Sequence, residues 1–176
     1  MASPQSLANR EHWESAARNG TLTPDAVIEW NDIHWTQLTS EPRGVDYIEV
    51  SAEGVPAMWI RPKGAVEDRV VLYSHGGGFV SGSIYTHRKL VGHLAKALGC
   101  LGLLFEFPYA HESKYPAQLE AAVTVYRWLL HQPFKPEHIV VAGESAGAIL
   151  TVGVLQRARE AGLPEPACRN DHVRLV

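Results

Sequence analysis

The chain has 176 residues, of which 45% are hydrophobic and 20% are charged, a composition typical of one soluble globular domain rather than a disordered or collagen-like chain. With 16 Lys and Arg against 19 Asp and Glu, the formal net charge is −3, and no stretch concentrates basic residues. We therefore expect neither nucleic acid nor an anionic membrane surface as a partner. No apolar run approaches a membrane span, and the start of the chain lacks the apolar core of a signal peptide, so we expect a cytoplasmic protein.

The first forty residues predict two helices. Ser3-Pro4 begins the first helix, which Gly20 ends, and Thr23-Pro24-Asp25 begins the second, with proline at its first helical position. Apolar side chains then recur at spacings of three and four, which gives the second helix an apolar face that needs a partner. These side chains are Ala26, Val27, Trp30 and Ile33.

Two strands are predicted next, over residues 45–50 and 57–60. Alternating apolar and polar residues favour the first strand, and turn residues at 41–44 and 61–64 bound the pair. Because Pro56 lacks the N–H that a strand ladder uses, it suits an edge position for the second strand. We expect the two strands to pair with each other.

From Arg69 onward the pattern becomes strand, loop and helix, repeated. Short apolar runs predict the strands, and apolar residues at helical spacing predict the helices. Strands that alternate with helices indicate a parallel sheet that is covered on both faces. The predicted strands are residues 70–74, 101–107 and 139–142, and the predicted helices are residues 87–98, 117–130 and 146–161.

The cysteines and histidines give no metal-ligand spacing. Cys100 and Cys168 form no disulfide framework, and Cys100 lies in an apolar run, so we expect a buried, unreactive thiol. His111-Glu112 is not a zinc motif, because Tyr115 stands where a second histidine is needed. We expect the remaining histidines to support structure: His75 the loop that follows a strand, His87 a helix start, and His12 and His34 the packing of the first two helices.

The sharpest local signal is Gly143-Glu144-Ser145-Ala146-Gly147, a G-x-S-x-G pattern that lies directly between a predicted strand and a predicted helix. A serine in that place occupies a strained strand-to-helix turn, with its hydroxyl pointing out at the end of the sheet. The helix behind it presents unpaired N–H groups to any developing negative charge. The alternative is a glycine-rich turn with an incidental serine.

A second signal is His75-Gly76-Gly77-Gly78-Phe79, which follows an earlier predicted strand. Backbone N–H groups at such a place can stabilise the negative charge that acyl transfer puts on a carbonyl oxygen, and residues without side chains allow a close approach. The alternative, a phosphate-binding glycine loop, fits less well. A G-x-G-x-x-G pattern would need glycine where Ser81 stands, and the Gly-Lys-Ser/Thr ending of a P-loop is absent.

Together these motifs resemble the hormone-sensitive-lipase-like family of α/β-hydrolase esterases. HGGGF and GESAG occur in the family's order and separation, with Thr86-His87 after the first motif and a helix-sheet unit between the two. The resemblance implies a partial α/β-hydrolase fold, with a mostly parallel sheet and helices on both faces. By position, residues 1–40 match the family's N-terminal helical cap segment, residues 41–167 the partial core, and residues 168–176 fall outside the pattern.

The resemblance also implies a site and a reaction. Ser145 is then the nucleophile, and the N–H groups of Gly76, Gly77 and Ala146 form the oxyanion hole. The implied activity is that of a serine esterase or lipase-like hydrolase, which cleaves carboxylic esters with short to medium acyl chains through an acyl-enzyme. No metal or cofactor is implied, and the implied partner is a small-molecule ester.

Several positions depart from the family pattern. The segment Phe107–Glu112 reads FPYAHE where the family usually has YRLAPE, so that loop's usual contacts are in question. Glu144 stands where aspartate is common, and Ala148 where a further glycine is frequent.

The largest departure is the tail. Only residues 146–176 follow Ser145, whereas the family places an Asp or Glu and then a His on loops after later strands. Asp171-His172 lies in the right order, but neighbouring side chains diverge, so we do not expect an internal triad. Residues 168–176 are charged where the family continues with an apolar strand, and we hypothesise a truncated or frame-shifted product.

Two consequences follow from this hypothesis. An open edge on the strand at 139–142 would favour self-association and low stability. Without the triad Asp and His, the activity of this chain alone is in doubt, and the competing function is a catalytically inactive ligand-binding or interaction fragment. A nucleotide-binding βαβ protein is a third, weaker alternative.

Overall fold

We describe residues 2–19 and 24–167 in a computed structural model of the chain. The predicted boundaries at Gly20 and Thr23 and the tail of residues 168–176 lie outside the described residues. The helices are α1 (Pro4–Asn19), α2 (Pro24–Leu38), α3 (Ile84–Leu98), α4 (Ala117–Leu130) and α5 (Ala146–Glu160), with a 3-10 turn at Pro136–His138. The strands are β1 (Val45–Ala52), β2 (Val55–Pro62), β3 (Val66–Ser74), β4 (Cys100–Phe105) and β5 (Ile139–Gly143).

The five described strands form one sheet in the order β1-β2-β4-β3-β5. β2 pairs antiparallel with both β1 and β4, whereas β3 pairs parallel with both β4 and β5. Four strands therefore run in one direction and β2 alone of the described strands is reversed. The predicted mostly parallel sheet and the predicted pairing of the first two strands are confirmed.

The edge position predicted for the second strand is wrong. β2 lies inside the sheet, and its ladder with β4 begins one residue after Pro56, at Ala57 opposite Phe105. The Pro56 carbonyl accepts the Glu106 N–H at 2.9 Å, on the β4 side. The missing N–H of Pro56 therefore falls at the end of that ladder, where it removes no pairing within the strand.

Helix α3 begins three residues before its predicted start, because a capping box defines its N-terminus. Ser83 Oγ accepts the Thr86 N–H at 3.2 Å, and Thr86 Oγ1 accepts the Ser83 N–H at 2.8 Å. At the other end, Gly99 adopts a left-handed conformation with φ 66°. The sequence pattern hides this box because threonine occupies the place usually taken by Glu or Gln.

Apolar packing covers both faces of the sheet, as predicted. Val70 and Leu72 of β3 pack with residues of α4 and α5, while Val71 and Tyr73 pack with residues of α3. The central strands are therefore buried on both sides, which explains their continuous apolar runs. Cys100 is buried beside α3, as predicted, and burial raises the pKa of its thiol.

Helix α2 contacts α3, but Ile33 of the predicted apolar face is 44% exposed, and the side chains of Ala26, Val27 and Trp30 lie outside the described ones. Lys89 Nζ donates to the carbonyls of Thr36 and Thr39 at 2.6 and 3.1 Å, and the Trp35 ring meets the edge of the His87 ring at 5.2 Å. The rings of His12 and His34 lie 4.5 Å apart, so α1 and α2 contact each other. Within residues 2–19 and 24–167, no helix has the length and apolar character needed to cross a membrane.

Candidate active site

The GESAG motif forms a strained turn between β5 and α5, which we call the elbow (residues 143–147). Ser145 has φ 53° and ψ −121°, a backbone conformation that costs energy for a residue with a side chain, and it is exposed. A Cβ on Gly147 would overlap the Ser74 carbonyl and lie 2.7 Å from the His75 oxygen. Glycine at this position therefore lets the elbow pack directly against the end of β3, and the predicted strand-to-helix turn is confirmed.

The HGGGF motif forms a second tight turn, the glycine loop (residues 75–79), at the end of β3. Gly77 has φ 115° and Gly78 has φ 64°. A Cβ on Gly77 would overlap the Ser81 carbonyl, so the loop closes on itself only with glycine there. Since Ser74 of β3 pairs with Gly143 of β5, the loop and the elbow begin side by side at the same edge of the sheet.

A hydrogen bond joins the two motifs. The Gly76 N–H donates to Glu144 Oε1 at 2.5 Å, so the residue before Ser145 holds the first peptide of the glycine loop. This contact corrects the predicted set of oxyanion donors. The Gly76 N–H is already bonded to a carboxylate and is not presented to a substrate oxygen.

The next two peptides of the loop are held by their carbonyl groups. The Gly76 carbonyl lies 2.7 Å from His75 Nδ1, which must carry the proton of this bond. The Gly77 carbonyl accepts the N–H groups of Val80 and Ser81 and the Ser81 hydroxyl, each at 3.1 Å. In a trans peptide the N–H points away from the carbonyl, so the N–H groups of Gly77 and Gly78 face the opposite side.

The N–H groups of Gly77 and Gly78 in the glycine loop and of Ala146 in the elbow have no hydrogen-bond partner in the described part of the chain. The Ala146 N–H is unpaired because it is the first residue of α5. Gly77 and Ala146 are among the donors that the sequence predicts, and the Gly78 N–H was not predicted to be available. The sequence shows three glycines, but it does not show which neighbouring residues bond each peptide and so set the direction of its N–H.

Glu144 also binds His87 of α3. His87 Nε2 lies 3.0 Å from Glu144 Oε1, and His87 Nδ1 lies 2.8 Å from Thr86 Oγ1. The hydrogen bond from His87 is the main cause that lowers the pKa of Glu144, with further help from the charge of His87 and the Gly76 N–H, against partial desolvation. His87 lies in the first turn of α3 and its ring bonds the capping residue Thr86, as expected, and it also bonds Glu144 of the elbow.

His75 lies fully buried beneath the loop, stacked on Phe107 at 4.2 Å. Its Nδ1–H fixes the Gly76 carbonyl, which confirms the predicted role as support for the loop. Its Nε2 lies 3.5 Å from Glu106 Oε2, too far for a well-formed hydrogen bond, while Glu106 Oε1 accepts the Ile84 N–H at 2.9 Å. Sequence reasoning missed Glu106, although its place directly after β4 puts it at the same edge of the sheet as Ser145.

The FPYAHE segment, which departs from the family pattern, packs against the glycine loop. The Tyr109 hydroxyl donates to the Gly82 carbonyl at 2.7 Å, and the Ala110 N–H donates to the Phe79 carbonyl at 2.7 Å. Burial, with the nearby charge of Glu106, raises the pKa of Tyr109 to about 12, so its hydroxyl remains a donor at neutral pH. His111 lies in this loop, as expected.

Comparison with known proteins agrees with this geometry. Residues 71–170, more than half of the chain, match the model of a family with the α/β-hydrolase fold. The chain belongs to the α/β-hydrolase family. This membership confirms the predicted fold class.

The relatives of this hydrolase-fold chain are esterases. It is 43% identical over 172 residues to an acetyl-hydrolase of Streptomyces hygroscopicus, covering 95% of this chain and 55% of that protein. An esterase structure from the bacterial hormone-sensitive lipase family matches with a TM-score of 0.85 and 35% identity over 94% of this chain and 56% of that chain. The crystal structure of EstE5 soaked with p-nitrophenyl butyrate matches with a TM-score of 0.85 and 36% identity, and the match covers 94% of this chain and 56% of that chain.

These matches confirm the resemblance to hormone-sensitive-lipase-like esterases. The hydrolase-fold chain spans about half the length of the curated relatives it matches. The activity and substrates of the whole proteins are therefore matters of proposal for this chain.

An apolar groove of about 510 Å³ begins next to the elbow and runs between α4 and α5. Phe79 of the glycine loop, Leu119 of α4 and Ile149 of α5 line it, together with Tyr115. Ile149 is 64% exposed and Tyr115 is 74% exposed, so the groove is open to solvent in the described structure.

Among the described residues, no histidine or aspartate bonds the Ser145 hydroxyl of the elbow. The Ser145 hydroxyl has no hydrogen-bond partner there, and His75 and His87 are engaged with Gly76 and Glu144. No histidine or aspartate occurs between Ser145 and residue 167, and Asp171 and His172 lie outside the described part. Among the described residues, no group of three or more His, Cys, Asp or Glu is arranged to hold a metal ion.

Proposed function

We propose that the chain is the nucleophile-bearing part of a carboxylic ester hydrolase, with Ser145 as the nucleophile. The observation that carries this proposal is an exposed serine, on a turn with positive φ, beside a loop whose Gly77 and Gly78 N–H groups have no hydrogen-bond partner among the described residues. Family membership and the esterase relatives support the same reaction class.

In the proposed reaction, Ser145 Oγ attacks the ester carbonyl carbon and the carbonyl electron pair moves to oxygen. The N–H groups of Gly77 and Ala146 stabilise this oxyanion, and the Gly78 N–H is the next donor along the loop. Collapse of the tetrahedral state breaks the bond to the alcohol oxygen and leaves an acyl-serine, which water then hydrolyses. Removing one donor of this kind costs about 3 kcal/mol of barrier in a known protease.

The proton of Ser145 needs an acceptor that the described residues do not supply. We therefore propose that this chain alone turns over slowly, since oxyanion donors and binding without the triad leave roughly 10³–10⁴-fold acceleration over water. The second candidate is a ligand-binding fragment without turnover, which the unpartnered Ser145 hydroxyl favours. The two candidates share the same site and differ in covalent reactivity.

The substrate class that we propose is an ester with a short to medium acyl chain. The apolar groove between α4 and α5 begins at the elbow and offers a surface for such a chain. p-Nitrophenyl butyrate is a suitable probe because it is a short-chain ester and was soaked into the related EstE5 structure.

Labelling with a serine-reactive fluorophosphonate, followed by intact mass and peptide mapping, tests the proposal. We expect one adduct on Ser145, which Ser145→Ala abolishes and the exposed control Ser40→Ala leaves unchanged. No adduct on a chain with a folded circular dichroism spectrum would favour the ligand-binding fragment. An adduct that persists in Ser145→Ala would contradict the assignment of the nucleophile.

We also propose that the chain self-associates along β5. This strand lies at one end of the sheet and pairs with β3 alone among the described strands, while the Ala167 N–H bonds the outer carbonyl of Ile139 at 2.7 Å. Ile149 and Val152 of the neighbouring α5 are 64% and 52% exposed. An open strand edge beside apolar side chains favours pairing with a second copy.

A further inference from the structure

The helix α2 reaches the glycine loop through one buried amide. Asn31 is 7% exposed, and its Nδ2 donates to Ser81 Oγ at 2.7 Å. Ser81 is 2% exposed and lies two residues beyond the loop. A buried amide that donates to a buried hydroxyl fixes both side chains, because neither can exchange its partner for water.

This amide decides where the Ser81 proton goes. A serine hydroxyl has one proton to donate, and an amide nitrogen can only donate. Because Asn31 occupies Ser81 Oγ as a donor, the hydroxyl keeps its own proton for the Gly77 carbonyl, 3.1 Å away. The chain of bonds therefore runs in one direction, from Asn31 to Ser81 to Gly77.

The Gly77 carbonyl belongs to the same peptide as the Gly78 N–H, and the two point in opposite directions. Every donor that holds this carbonyl also turns the Gly78 N–H toward the open side of the loop. Two backbone N–H groups, of Val80 and Ser81, share the task at 3.1 Å each. The Ser81 hydroxyl is the third donor to this carbonyl, and its direction is set by Asn31, which lies on α2 outside the loop.

The position of Asn31 is set independently of the loop. Lys89 of α3 holds the carbonyl of Thr36, about one and a half turns from Asn31, and the carbonyl of Thr39 just beyond the end of α2. The helix is thus anchored on α3 and presents Asn31 to Ser81 from a fixed point.

We propose that Asn31 is a positioning residue, which couples α2 to the oxyanion donors by directing the Ser81 hydroxyl onto the Gly77 carbonyl. This inference rests on the proposed function for its catalytic meaning, but the coupling itself is a property of the fold. Helix α2 then helps to orient the peptide between Gly77 and Gly78, in addition to its packing against α3.

Asn31→Asp tests the proposal, because aspartate has the same shape but, when ionised, can only accept. At about pH 8 it draws the Ser81 proton away from the Gly77 carbonyl. We expect the carbonyl-carbon chemical shift of Gly77 to change and the rate of fluorophosphonate labelling to fall about tenfold, less than the loss from deleting a donor. Gln37→Glu adds the same charge at an exposed position of α2 and should change neither.

Ser81→Ala, alone and combined with Asn31→Asp, gives a double-mutant cycle for this pair. It should change the Gly77 carbonyl shift in the same direction as Asn31→Asp, and adding Asn31→Asp to Ser81→Ala should have no further effect on labelling. If Asn31→Asp does not fold, as judged by circular dichroism, the Ser81→Ala shift decides the question. An unchanged Gly77 shift in the folded variants would overturn the proposal.

The two proposals can fail separately. Absence of any label on the unmodified chain counts against the proposed hydrolase, and the Gly77 carbonyl shift then still decides whether Asn31 orients the loop. Labelling that is normal in Asn31→Asp, with an unchanged shift, counts against Asn31 while the nucleophile assignment stands.

Discussion

The two flanks of the candidate site are built very differently. The inner flank, which we define as Asn31, Ser81, His87, Glu106 and Glu144, joins α2 and α3 to the loop and elbow, and the end of β4 to α3, through hydrogen bonds. The outer flank, defined as Ile149 and Val152 of α5 with the edge of β5, presents apolar side chains to solvent. The side chains of the inner flank form hydrogen bonds with one another or with neighbouring described residues. In the outer flank, the described residues leave the apolar side chains of Ile149 and Val152 more than half exposed.

This difference separates two parts of the proposed chemistry. The groups that orient the proposed oxyanion donors lie in the turns after β3 and β5 and on α2 and α3, so one chain can preassemble them. The group that removes the proton from Ser145 is not among the described residues. The fold therefore supports oxyanion stabilisation more fully than proton transfer.

The largest effect is expected where the elbow meets β3. Gly147→Ala would drive a Cβ into the backbone of Ser74 and His75, which cannot move aside, and we expect a loss of about 3 kcal/mol in the free energy of unfolding. Gly153→Ala, on the same helix, meets only the flexible end of Leu119 and gains helix propensity, so we expect a change within about 0.5 kcal/mol. Urea denaturation of both variants measures the contrast, and equal losses would contradict the close contact of elbow and β3.

The next effect concerns the glycine loop. Gly77→Ala places a side chain at φ 115° against the Ser81 carbonyl, so we expect loss of fluorophosphonate labelling together with lower stability. Gly78→Ala has φ 64° and meets only Val80 at 3.9 Å, so it should cost about 1 kcal/mol and keep its N–H available. If Gly77→Ala labels as fast as the unmodified chain, the loop does not orient the donors as described.

How far the sequence predicts this structure depends on the range of the contacts. Local signals were sufficient for the elbow, for the turn at the end of β3 and for α4, whose predicted range 117–130 matches the structure. The sequence alone did not place Pro56 inside the sheet, because the order β1-β2-β4-β3-β5 is a tertiary property. The Gly76 donor was predicted wrongly for the same reason, since its partner Glu144 is 68 residues away.

A smaller effect is the pH dependence that Glu144 adds to the inner flank. Its pKa is lowered in the folded state, so its ionised form stabilises the fold above its ordinary value of 4.5, and this contribution is lost as the pH falls below that value toward the folded pKa. The difference in unfolding free energy between the unmodified chain and Glu144→Gln should shrink as the pH falls below about 4.5. Urea denaturation across this range measures it, and a difference that grows as the pH falls would contradict the assigned contacts.

The smallest effect on stability is expected at the outer flank. Replacing Ile149 and Val152 by lysine removes exposed apolar surface from α5, so we expect weaker self-association and little change in the free energy of unfolding. Sedimentation velocity at several concentrations measures the first, and urea denaturation measures the second. A chain that is monomeric before the substitution would refute self-association along this flank.

The most direct test of the oxyanion geometry is a crystal structure of the chain after reaction of Ser145 with a phosphonate. The account predicts a phosphonyl oxygen within hydrogen-bond distance of the Gly77, Gly78 and Ala146 N–H groups, with the Gly76 N–H still bonded to Glu144. A phosphonyl oxygen that faces solvent, or one that displaces Glu144 from Gly76, would contradict it.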